Sequence, residues 1–340
     1  MRVDAHWAST LGSGTRKPVS YILLFYGGTY HMRVVVNTKN LSRAEWLRYR
    51  TKGIGGSDVS IIAGINPFKS VHQLWLEKTG QIDIEETDSD YTHFGTILEP
   101  IVRKEFTERT GIKVRQKHML LQSEEYPFMY ADLDGTINQD GETCIFEAKT
   151  ASAFKQEVWE DGIPAPYILQ VQHYMAVTGA KKTYIAALVG GNRFFWHEIG
   201  RDEEMIGKLI SMEKYFWETH VLGGAEPIPD GSEATTNYFN SRFSQSNGEM
   251  VELPDEALEV CNEYERISEQ IKKLEAAKNS AANQLKAYLK EAETGTVGGK
   301  MVTWKPVSKN IVDSKRLKAE RPDIYTDYLT QSSYRRLSVA

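Results

Sequence analysis

The sequence predicts an α/β protein in which helices flank a central mixed β-sheet, with a helical extension at the C-terminal end. Three observations lead to this prediction. Between residues 41 and 225, segments with helical spacing of apolar residues alternate with short runs rich in β-formers. Glycine, asparagine and aspartate separate those runs, as expected for turns. Beyond residue 253, apolar residues recur every seven positions over a long stretch, which is typical of one long helix.

The composition excludes several classes of protein. The chain has 340 residues, 41% of them hydrophobic, and a formal net charge of −5, so phosphate binding would depend on a local basic patch. The two cysteines, Cys144 and Cys261, argue against a disulfide framework, a zinc site or a four-cysteine iron–sulfur cluster, and they favour a reducing cytoplasm. No apolar run approaches the roughly 20 residues that a membrane helix needs. We therefore expect a cytoplasmic protein without a membrane anchor.

We divide the chain into four segments. Residues 1–40 form a poorly defined N-terminal segment, because the first 31 residues show no clear periodicity. Residues 41–225 form the main α/β domain. Residues 226–252 are rich in glycine, proline, serine and asparagine, which predicts a linker. Residues 253–340 form a C-terminal extension, with the long helix followed by a small strand-and-helix region.

The main domain begins with a series of predicted helices. Ser42, with Glu45 three residues later, forms a capping box at a helix start, and a glycine-rich turn leads to a second helix near Ser57. A third helix ends at Gly80. A fourth helix, ending at Gly111, carries apolar residues at helical spacing: Phe94, Ile97, Leu98, Ile101, Val102 and Phe106.

After residue 111 the sequence pattern changes from helical spacing to β-rich runs. Three short β-rich runs follow, at residues 112–122, 129–138 and 143–151. Helical spacing returns at residues 167–179, and residues 182–199 predict a hairpin around a Gly-Gly-Asn turn. A last amphipathic helix covers residues 202–222. This order of helix, strands, helix, strands and helix predicts the mixed sheet.

The predicted long helix of the C-terminal segment carries a seam of apolar residues. The seam residues at seven-residue spacing are Val260, Ile267, Leu274, Ala281 and Tyr288, and the companion positions hold Tyr264, Ile271 and Leu285, with Lys278 as the exception. This pattern is that of a coiled coil over about four heptads. Two interpretations stay open: the helix packs on its own domain, or it joins copies of the chain.

The strand at residues 143–151 carries the residues that indicate chemistry. The two-residue period of a strand places Glu147 and Lys149 on one face, with Phe146 and Ala148 on the other. Charged residues are poor strand formers and are costly to bury. The placement of a carboxylate and an ammonium group on one face therefore needs an explanation.

A hairpin with the preceding strand would add further carboxylates. Asp132 and Asp134 lie at the end of that strand, and pairing would bring Asp134 beside Glu147. Two carboxylates held close repel each other unless a cation neutralises them. Hard oxygen ligands favour Mg²⁺ or Mn²⁺. An adjacent Lys149 would orient or deprotonate a water for attack on a phosphodiester. For Asp132, we consider a second-ion ligand or a structural turn residue.

An acidic residue, a gap and Glu-x-Lys on a strand resemble the PD-(D/E)xK nuclease superfamily. Alone, this triplet also fits an exposed strand face with a surface ion pair. Gln170 and Tyr174, four residues apart on the next helix, are similar to the Gln-x-x-x-Tyr helix of RecB-like nucleases. Glu99 lies in the apolar helix before the strands. It is a further metal ligand if that helix end faces the cleft, and a solvent-edge residue otherwise.

Five ordered blocks make the resemblance more specific. They are residues 53–80, 94–102, 131–137, 146–151 and 167–179. In this order and spacing they resemble the YqaJ viral recombinase family, which groups with lambda exonuclease and includes phage alkaline exonucleases. The match covers roughly residues 41–220. It implies a PD-(D/E)xK nuclease core, α/β with a central mixed β-sheet flanked by helices.

The resemblance also implies roles for individual residues. The implied ligands of Mg²⁺, for which Mn²⁺ would substitute, are Glu99, Asp134, Glu147 and the carbonyl of Ala148. Lys149 would act on the attacking water. A glutamine would help to position the site: its spacing to Tyr174 favours Gln170, and Gln172 is the alternative. The sequence departs from the family pattern in having Leu133, and not proline, before Asp134.

The glycine-rich block suggests a site for a terminal phosphate. Arg50, Lys52 and Ser57 surround glycines whose backbone N–H groups can approach an anion closely. In lambda exonuclease-like enzymes an arginine and a serine of this block bind the 5′ phosphate of DNA, and Ser57 and Arg50 match them. The alternative is that Ser57 is an ordinary helix N-cap behind a tight turn.

The resemblance implies a metal-dependent 5′-to-3′ exonuclease acting on double-stranded DNA ends and leaving 3′ single-stranded overhangs for phage-type recombination. It also implies a ring-shaped trimer and a RecT-type single-strand annealing protein as partner. Two alternatives are an endonuclease or trimming enzyme with the same core, and an inactive DNA-binding assembly protein. An exonuclease should prefer 5′-phosphorylated linear duplex and ignore closed circles, which distinguishes it from the endonuclease. If the Glu147→Ala variant keeps its function, the protein is the inactive DNA-binding assembly protein.

Overall fold

The computed structural model describes residues 32–84 and 90–339. The described residues up to Phe239 form one compact unit, called here the N-terminal unit, and those from Asn240 onward form the C-terminal unit. The expectations for residues 1–31 lie outside the described residues. Among the described residues, no helix combines the length and the apolar character that crossing a membrane requires.

Two sheets form the centre of the N-terminal unit. Its strands are β1 (Met32–Asn37), β2 (Val114–Arg115), β3 (Met119–Ser123), β4 (Tyr130–Asp132), β5 (Gly135–Gln139), β6 (Glu142–Ala151), β7 (Lys182–Val189) and β8 (Arg193–Gly200). The larger sheet has the order β2-β5-β6-β7-β8, and the smaller sheet has the order β1-β3-β4. In the larger sheet β6 and β7 are parallel, and the other neighbours are antiparallel. The predicted mixed central sheet is confirmed.

Helices surround these sheets. They are α1 (Arg43–Arg50), α2 (Gly56–Ile62), α3 (Val71–Lys78), α4 (Asp90–Thr110), α5 (Gln156–Asp161), α6 (Ala165–Thr178), α7 (Glu203–Tyr215) and α8 (Glu233–Arg242). A 3₁₀ turn precedes α5, and a π-helical segment, Phe216–Leu222, continues α7. The predicted capping box is present at the start of α1, where the Ser42 hydroxyl accepts from the Glu45 N–H and the Glu45 carboxylate accepts from the Ser42 N–H. The segment that we predict to be a linker contains α8.

The two predicted hairpins fix the register of the larger sheet. In the β5–β6 pair, Gly135 lies opposite Phe146, which places the end of the preceding loop next to Glu147. In the β7–β8 pair, Gly190 and Gly191 take positive φ angles of 60° and 77° at the turn, which favour glycine. The parallel partner of β6 is reached through α5 and α6, so β6, α6 and β7 form one crossover unit.

Strand β6 is buried on both faces. Phe146 packs against Phe106 of α4, with ring centroids 5.0 Å apart, and both side chains are inaccessible to solvent. Burying a phenylalanine of this kind contributes about 1.5–3 kcal/mol. Ile145 packs on the opposite face, in the cluster that includes Val171 and Met175 of α6. Glu147 therefore emerges from a strand whose surroundings exclude water.

Helix α4 is confirmed, but only part of its apolar side is buried. Val102 and Phe106 lie in the core beside the larger sheet, whereas Phe94, Ile97 and Ile101 are each about half exposed, at 51%, 50% and 52%. The packed half follows a proline inside the helix. Helical periodicity identified the helix correctly, but it does not show how far along a helix its packing partner extends.

The C-terminal unit is built on one long helix. It contains α9 (Ala257–Leu289), β9 (Thr294–Val297), β10 (Lys300–Thr303), α10 (Ser314–Glu320) and α11 (Pro322–Asp327). Strands β9 and β10 form an antiparallel pair. The predicted C-terminal helical extension is confirmed, and none of the side chains of α9 is buried.

Candidate functional site

A cleft of about 700 Å³ lies between the start of α2, the N-terminal half of α4, the β4–β5 connection, β6 and α6. Most of the predicted site residues line it. They are Arg50, Ser57, Glu99, Asp134, Glu147, Ala148, Lys149 and Gln170. Residues from five segments of the sequence therefore meet in one cavity, whereas Lys52 and Gln172 are not among its lining residues.

Glu147 and Lys149 form the centre of the cleft. Both project from the same face of β6, as the strand period predicts, and Nζ of Lys149 donates to Oε1 of Glu147 at 2.6 Å. Glu147 is only 2% exposed. Its second oxygen, Oε2, is buried and has no hydrogen-bond partner among the described residues. A buried acceptor without a hydrogen-bond partner raises the free energy of the folded state. A ligand or a proton at Oε2 would therefore stabilise the site.

Gln170 of α6 completes this centre. Its Nε2 donates to Oε1 of Glu147 at 2.8 Å and to the hydroxyl of Tyr174 at 3.0 Å, while its Oε1 accepts from Lys149 at 3.0 Å. The amide thus holds the carboxylate and the ammonium group together. Gln172 points elsewhere: its amide bonds the carbonyl of Gly200 and the N–H of Asp202. Of the two glutamines left open by the sequence, only Gln170 lies in the cleft.

Asp134 and Glu99 approach the centre from the other side. Oδ2 of Asp134 accepts from the N–H of Ala148 at 2.8 Å, because the β5–β6 hairpin brings the two together. Glu99 of α4 accepts from Arg103 at 3.2 Å, and Arg103 also donates to the carbonyl of Asp134 at 3.0 Å. Arg103 was not identified from the sequence. Its spacing of four residues from Glu99 makes the two neighbours on the helix surface, and this spacing could have indicated it.

The pKa of each of the three carboxylates is raised, in every case mainly by burial. Burial, and then the charges of Asp134 and neighbouring Glu99, raise the pKa of Glu147 to about 8. Burial and the charge of Asp134 raise the pKa of Glu99 to about 7. Burial also raises the pKa of Asp134, against the opposing effect of Lys149. The surroundings of these three acids disfavour their negative charge. A cation bound among them would offset that cost.

The chemistry of these residues fits a divalent cation. The donors are hard carboxylate oxygens, and Oε2 of Glu147 lacks a partner among the described residues. In the described part of the chain, no group of three or more His, Cys, Asp or Glu side chains is already placed to hold a metal ion together. Two of the three carboxylates instead face nearby cations, Lys149 and Arg103. The residues fit a cation in type, and their side chains would turn to bind it.

We expect Mg²⁺ to stabilise the protein more at alkaline than at acidic pH. The folded-state pKa of Glu147 is raised, so the stability linked to its proton is present below pH 4.5 and is lost as the pH rises toward about 8. A bound cation would replace those protons. At ten times its dissociation constant, it should add about 1.4 kcal/mol, or roughly 3–6 °C in melting temperature.

Thermal melting with Mg²⁺ at pH about 8.5 and about 5.5 measures this difference. A potassium salt at matched ionic strength is the control for screening. The Glu147→Gln variant should lose most of the Mg²⁺ shift. An equal shift at both pH values would contradict the prediction.

The glycine-rich block forms a second group of polar residues at the edge of the cleft. Nη2 of Arg50 donates to the Ser57 hydroxyl at 2.7 Å and to Oδ1 of Asp58 at 2.8 Å. The N-cap of α2 is Gly55, so the alternative role of Ser57 as the N-cap is wrong. Lys52 lies apart from this group, with Nζ 5.0 Å from the ring centroid of Tyr49.

A buried ion pair fixes this block from behind. Nζ of Lys78 in α3 donates to Oδ2 of Asp58 at 2.7 Å and to the carbonyls of Arg50 and Gly53 at 2.6 and 2.7 Å. Burial alone would raise the pKa of Asp58, but Lys78 and Arg50 hold that pKa well below its usual range. The sequence did not identify Lys78, because nothing in its spacing links it to a residue 20 positions earlier.

The start of α2 touches the centre of the cleft. A methyl group on Gly56 would lie 2.5 Å from a ring carbon of Tyr174 and 2.9 Å from Cγ of Gln170. These distances are shorter than any van der Waals contact, so only glycine fits at this position. The block that carries Ser57 therefore packs directly on the glutamine that holds Glu147 and Lys149.

Asp132 has a structural partner. Its Oδ2 accepts from Nε1 of Trp46 at 3.0 Å, and the guanidinium groups of Arg43 and Arg50 lie 4.4 and 5.0 Å from the Trp46 ring centroid. Asp132 thereby links β4 to α1. Asp132 also lines the cleft, so the two roles that we considered for it from the sequence stay predictions.

Comparisons with known proteins indicate the family of the chain. The family model for the YqaJ-like viral recombinase domain matches residues 45–181. The protein YqaJ of Bacillus subtilis (strain 168) is 43% identical over 310 residues, which are 90% of this chain and 97% of YqaJ.

Two solved structures are similar to part of the chain. An alkaline exonuclease (LHK-Exo) from Laribacter hongkongensis is 22% identical, with a TM-score of 0.45, over 52% of this chain and 91% of that one. A phage-related exonuclease from Haemophilus somnus 129PT is 16% identical, with a TM-score of 0.40, over 53% of this chain and 100% of that one.

Proposed function

The chain belongs to the YqaJ-like viral recombinase family, and on that basis we propose that it is a metal-dependent 5′-to-3′ exonuclease. Its substrate would be the end of double-stranded DNA, and its product a 3′ single-stranded overhang for phage-type recombination. One observation carries the proposal. Glu147, Lys149 and Gln170 are hydrogen-bonded to one another in a cleft that Asp134 and Glu99 also line.

The proposed mechanism assigns each residue a task in phosphodiester hydrolysis. Glu99, Asp134, Glu147 and the carbonyl of Ala148 would hold Mg²⁺, or Mn²⁺ in its place. When bound, the ion would neutralise charge that develops on the phosphodiester oxygens. Lys149 would orient the attacking water, because its ammonium group is held in a fixed position by two hydrogen bonds. Its position 5.0 Å from the Tyr167 ring centroid restricts it further.

Gln170 would act as a positioning residue. Its amide fixes both Glu147 and Lys149, and Tyr174 fixes the amide in turn. Hydrogen bonds that link several side chains restrict the rotamers of those side chains. The centre would therefore be organised before DNA binds, which reduces the cost of reorganisation during the reaction.

The Arg50–Ser57 pair supports the proposed preference for 5′ ends. A planar guanidinium group beside a hydroxyl at the start of a glycine-rich turn suits a phosphate. Because Asp58 already takes one side of Arg50, the position of the guanidinium group is fixed. We propose that this edge of the cleft binds the terminal 5′ phosphate. The partners that we propose are a RecT-type annealing protein and further copies of the chain in a ring-shaped trimer.

The decisive assay compares three DNA substrates at equal concentration. We expect the purified protein with Mg²⁺ to degrade linear duplex bearing 5′ phosphates, to degrade 5′-hydroxyl duplex more slowly, and to leave closed circles intact. EDTA should stop the reaction. Cutting of closed circles would instead indicate an endonuclease with the same core. Activity that persists in EDTA would overturn the proposed metal-dependent mechanism.

Arg50→Lys should reduce the preference for a 5′ phosphate by roughly tenfold. Lysine keeps a positive charge beside Asp58 but loses the forked hydrogen bonds, and a charge-assisted bond is worth about 1.5–3 kcal/mol. The measured quantity is the ratio of initial rates on 5′-phosphate and 5′-hydroxyl duplex. Arg109→Lys, at the end of α4 and outside the cleft lining, is the matched control. An unchanged ratio in Arg50→Lys would remove Arg50 from the proposed phosphate site.

A further inference from the structure

Helix α9 exposes an apolar seam along its full length. Seven of the nine seam positions carry a large apolar or aromatic residue, and their side chains are between 41% and 83% exposed: Val260, Tyr264, Ile267, Ile271, Leu274, Leu285 and Tyr288. None of the side chains of α9 is buried. Contiguous apolar surface of this kind marks an interaction site. The question is which surface covers it.

The seven-residue spacing of the seam is typical of a helix that pairs with another helix. Tyr264, Ile271 and Leu285 take the a positions of a heptad, and Val260, Ile267, Leu274, Ala281 and Tyr288 take the d positions. A strict seven-residue repeat keeps the seam on one side only if two helices wind around each other. At 33 residues α9 is about 50 Å long, which is enough for four heptads.

The charges of α9 are divided between its two halves. From Ala257 to Gln270 there are four glutamates and one arginine, for a net charge of −3. From Ile271 to Leu289 there are four lysines and one glutamate, for a net charge of +3. Two such helices placed in parallel would align like charges, whereas an antiparallel pair aligns each acidic half with a basic half. The helix is complementary to itself in the antiparallel direction.

Lys278 also favours antiparallel over parallel pairing. It occupies the remaining a position of the seam. In a parallel pair, a faces a, so two Lys278 ammonium groups would meet inside the interface. In an antiparallel pair, a faces d, so Lys278 lies beside an apolar residue and extends its charged end to water. A single polar residue at an a position commonly sets the partner and orientation of a coiled coil.

We propose that α9 pairs with α9 of a second copy of the chain as an antiparallel coiled coil. The seam of one α9 helix is thus covered by the seam of the other, which runs in the opposite direction. This inference rests on the C-terminal unit alone and does not depend on the proposed nuclease activity. A ring-shaped trimer formed by the N-terminal unit would be a separate association, and α9 pairing would then join one ring to another.

Two spin-label positions on the full-length chain test the direction of pairing. The first uses the natural Cys261, near the start of α9; Cys144 is buried and does not compete for the label. The second uses Lys273→Cys in a Cys261→Ser background, near the middle of the seam. An antiparallel pair should give a distance of about 40 Å between labels at position 261 and about 10–15 Å between labels at position 273, from the helical rise.

Double electron–electron resonance measures the longer distance, and dipolar broadening of continuous-wave spectra measures the shorter one. Short distances at both positions would mean parallel pairing and would overturn the proposal. The absence of an intermolecular distance at position 273 would also overturn it, since the seam would then be covered by the chain's own residues or by a different protein.

Charge-exchange variants test whether the two halves recognise each other. Glu259→Lys/Glu265→Lys/Glu269→Lys makes the helix basic throughout, and Lys272→Glu/Lys273→Glu/Lys278→Glu makes it acidic throughout. Each variant alone should associate roughly tenfold more weakly than the wild type at low salt, because like charges then face each other along the pair. Sedimentation measures the association. An equimolar mixture should regain association. Association of either variant alone at wild-type strength, or a mixture that stays dissociated, would contradict the proposal.

Discussion

Lys149→Met should lower the rate of phosphodiester hydrolysis by about a hundred- to ten-thousand-fold and leave the protein folded. A positioned group that acts on the attacking water contributes a factor of this size. Methionine keeps most of the volume of lysine and removes only the charge and the hydrogen bonds to Glu147 and Gln170. The fold should tolerate the change because Glu147, whose pKa is about 8, can take up a proton near neutral pH when its partner is lost.

The measurement is the initial rate on a labelled, 5′-phosphorylated duplex at saturating Mg²⁺, together with a thermal melt of each protein. Lys155→Met is the matched control, since Lys155 follows β6 closely in sequence but is exposed and outside the cleft lining. It should retain full activity. If Lys149→Met stays within threefold of the wild-type rate while it is folded, Lys149 does not act on the water.

The largest expected effect on stability is that of Lys78→Met. The change leaves buried Asp58 with only Arg50 as a cationic partner and leaves the carbonyls of Arg50 and Gly53 without their donor. Removing one member of a buried ion pair typically costs about 3–5 kcal/mol. We expect the free energy of unfolding in urea to fall by about that amount.

Two further variants identify the source of this effect. Lys104→Met, on the exposed side of α4, should change the free energy of unfolding by no more than about 0.5 kcal/mol. The double variant Asp58→Asn/Lys78→Met should be more stable than Lys78→Met alone, because it no longer buries a carboxylate that has lost its buried cationic partner. A double variant that is less stable than the single one would show that Lys78 stabilises the fold through its backbone contacts rather than through Asp58.

The residues of the candidate centre that the sequence identified are those whose placement follows from local periodicity. Glu147 and Lys149 share a face because a strand repeats every two residues. Asp134 reaches Glu147 because a short hairpin fixes the register. The spacing of one helical turn between Gln170 and Tyr174 favours Gln170. It leaves Gln172 open, because periodicity alone does not show which side of the helix faces the cleft.

Contacts between distant segments could not be predicted in the same way. Lys78 reaches Asp58 because α3 packs behind α2, and no repeat in the sequence encodes that arrangement. Trp46 reaches Asp132 across 86 residues. The exposure of Phe94 and Ile97 on α4 depends on where the larger sheet ends, which is a property of the tertiary structure. The order and type of the main elements were predictable, and their packing partners were not.

The contact of Gly56 with Gln170 and Tyr174 has a consequence for the products of the reaction. Because not even a methyl group fits between α2 and α6, the spacing from Ser57 to Lys149 is set by rigid packing. If Ser57 and Arg50 bind the terminal phosphate, the bond that reaches Lys149 lies at a constant distance from the end of the strand. The enzyme would then act as a molecular ruler, releasing fragments of uniform length and presenting an equivalent new end after every cut.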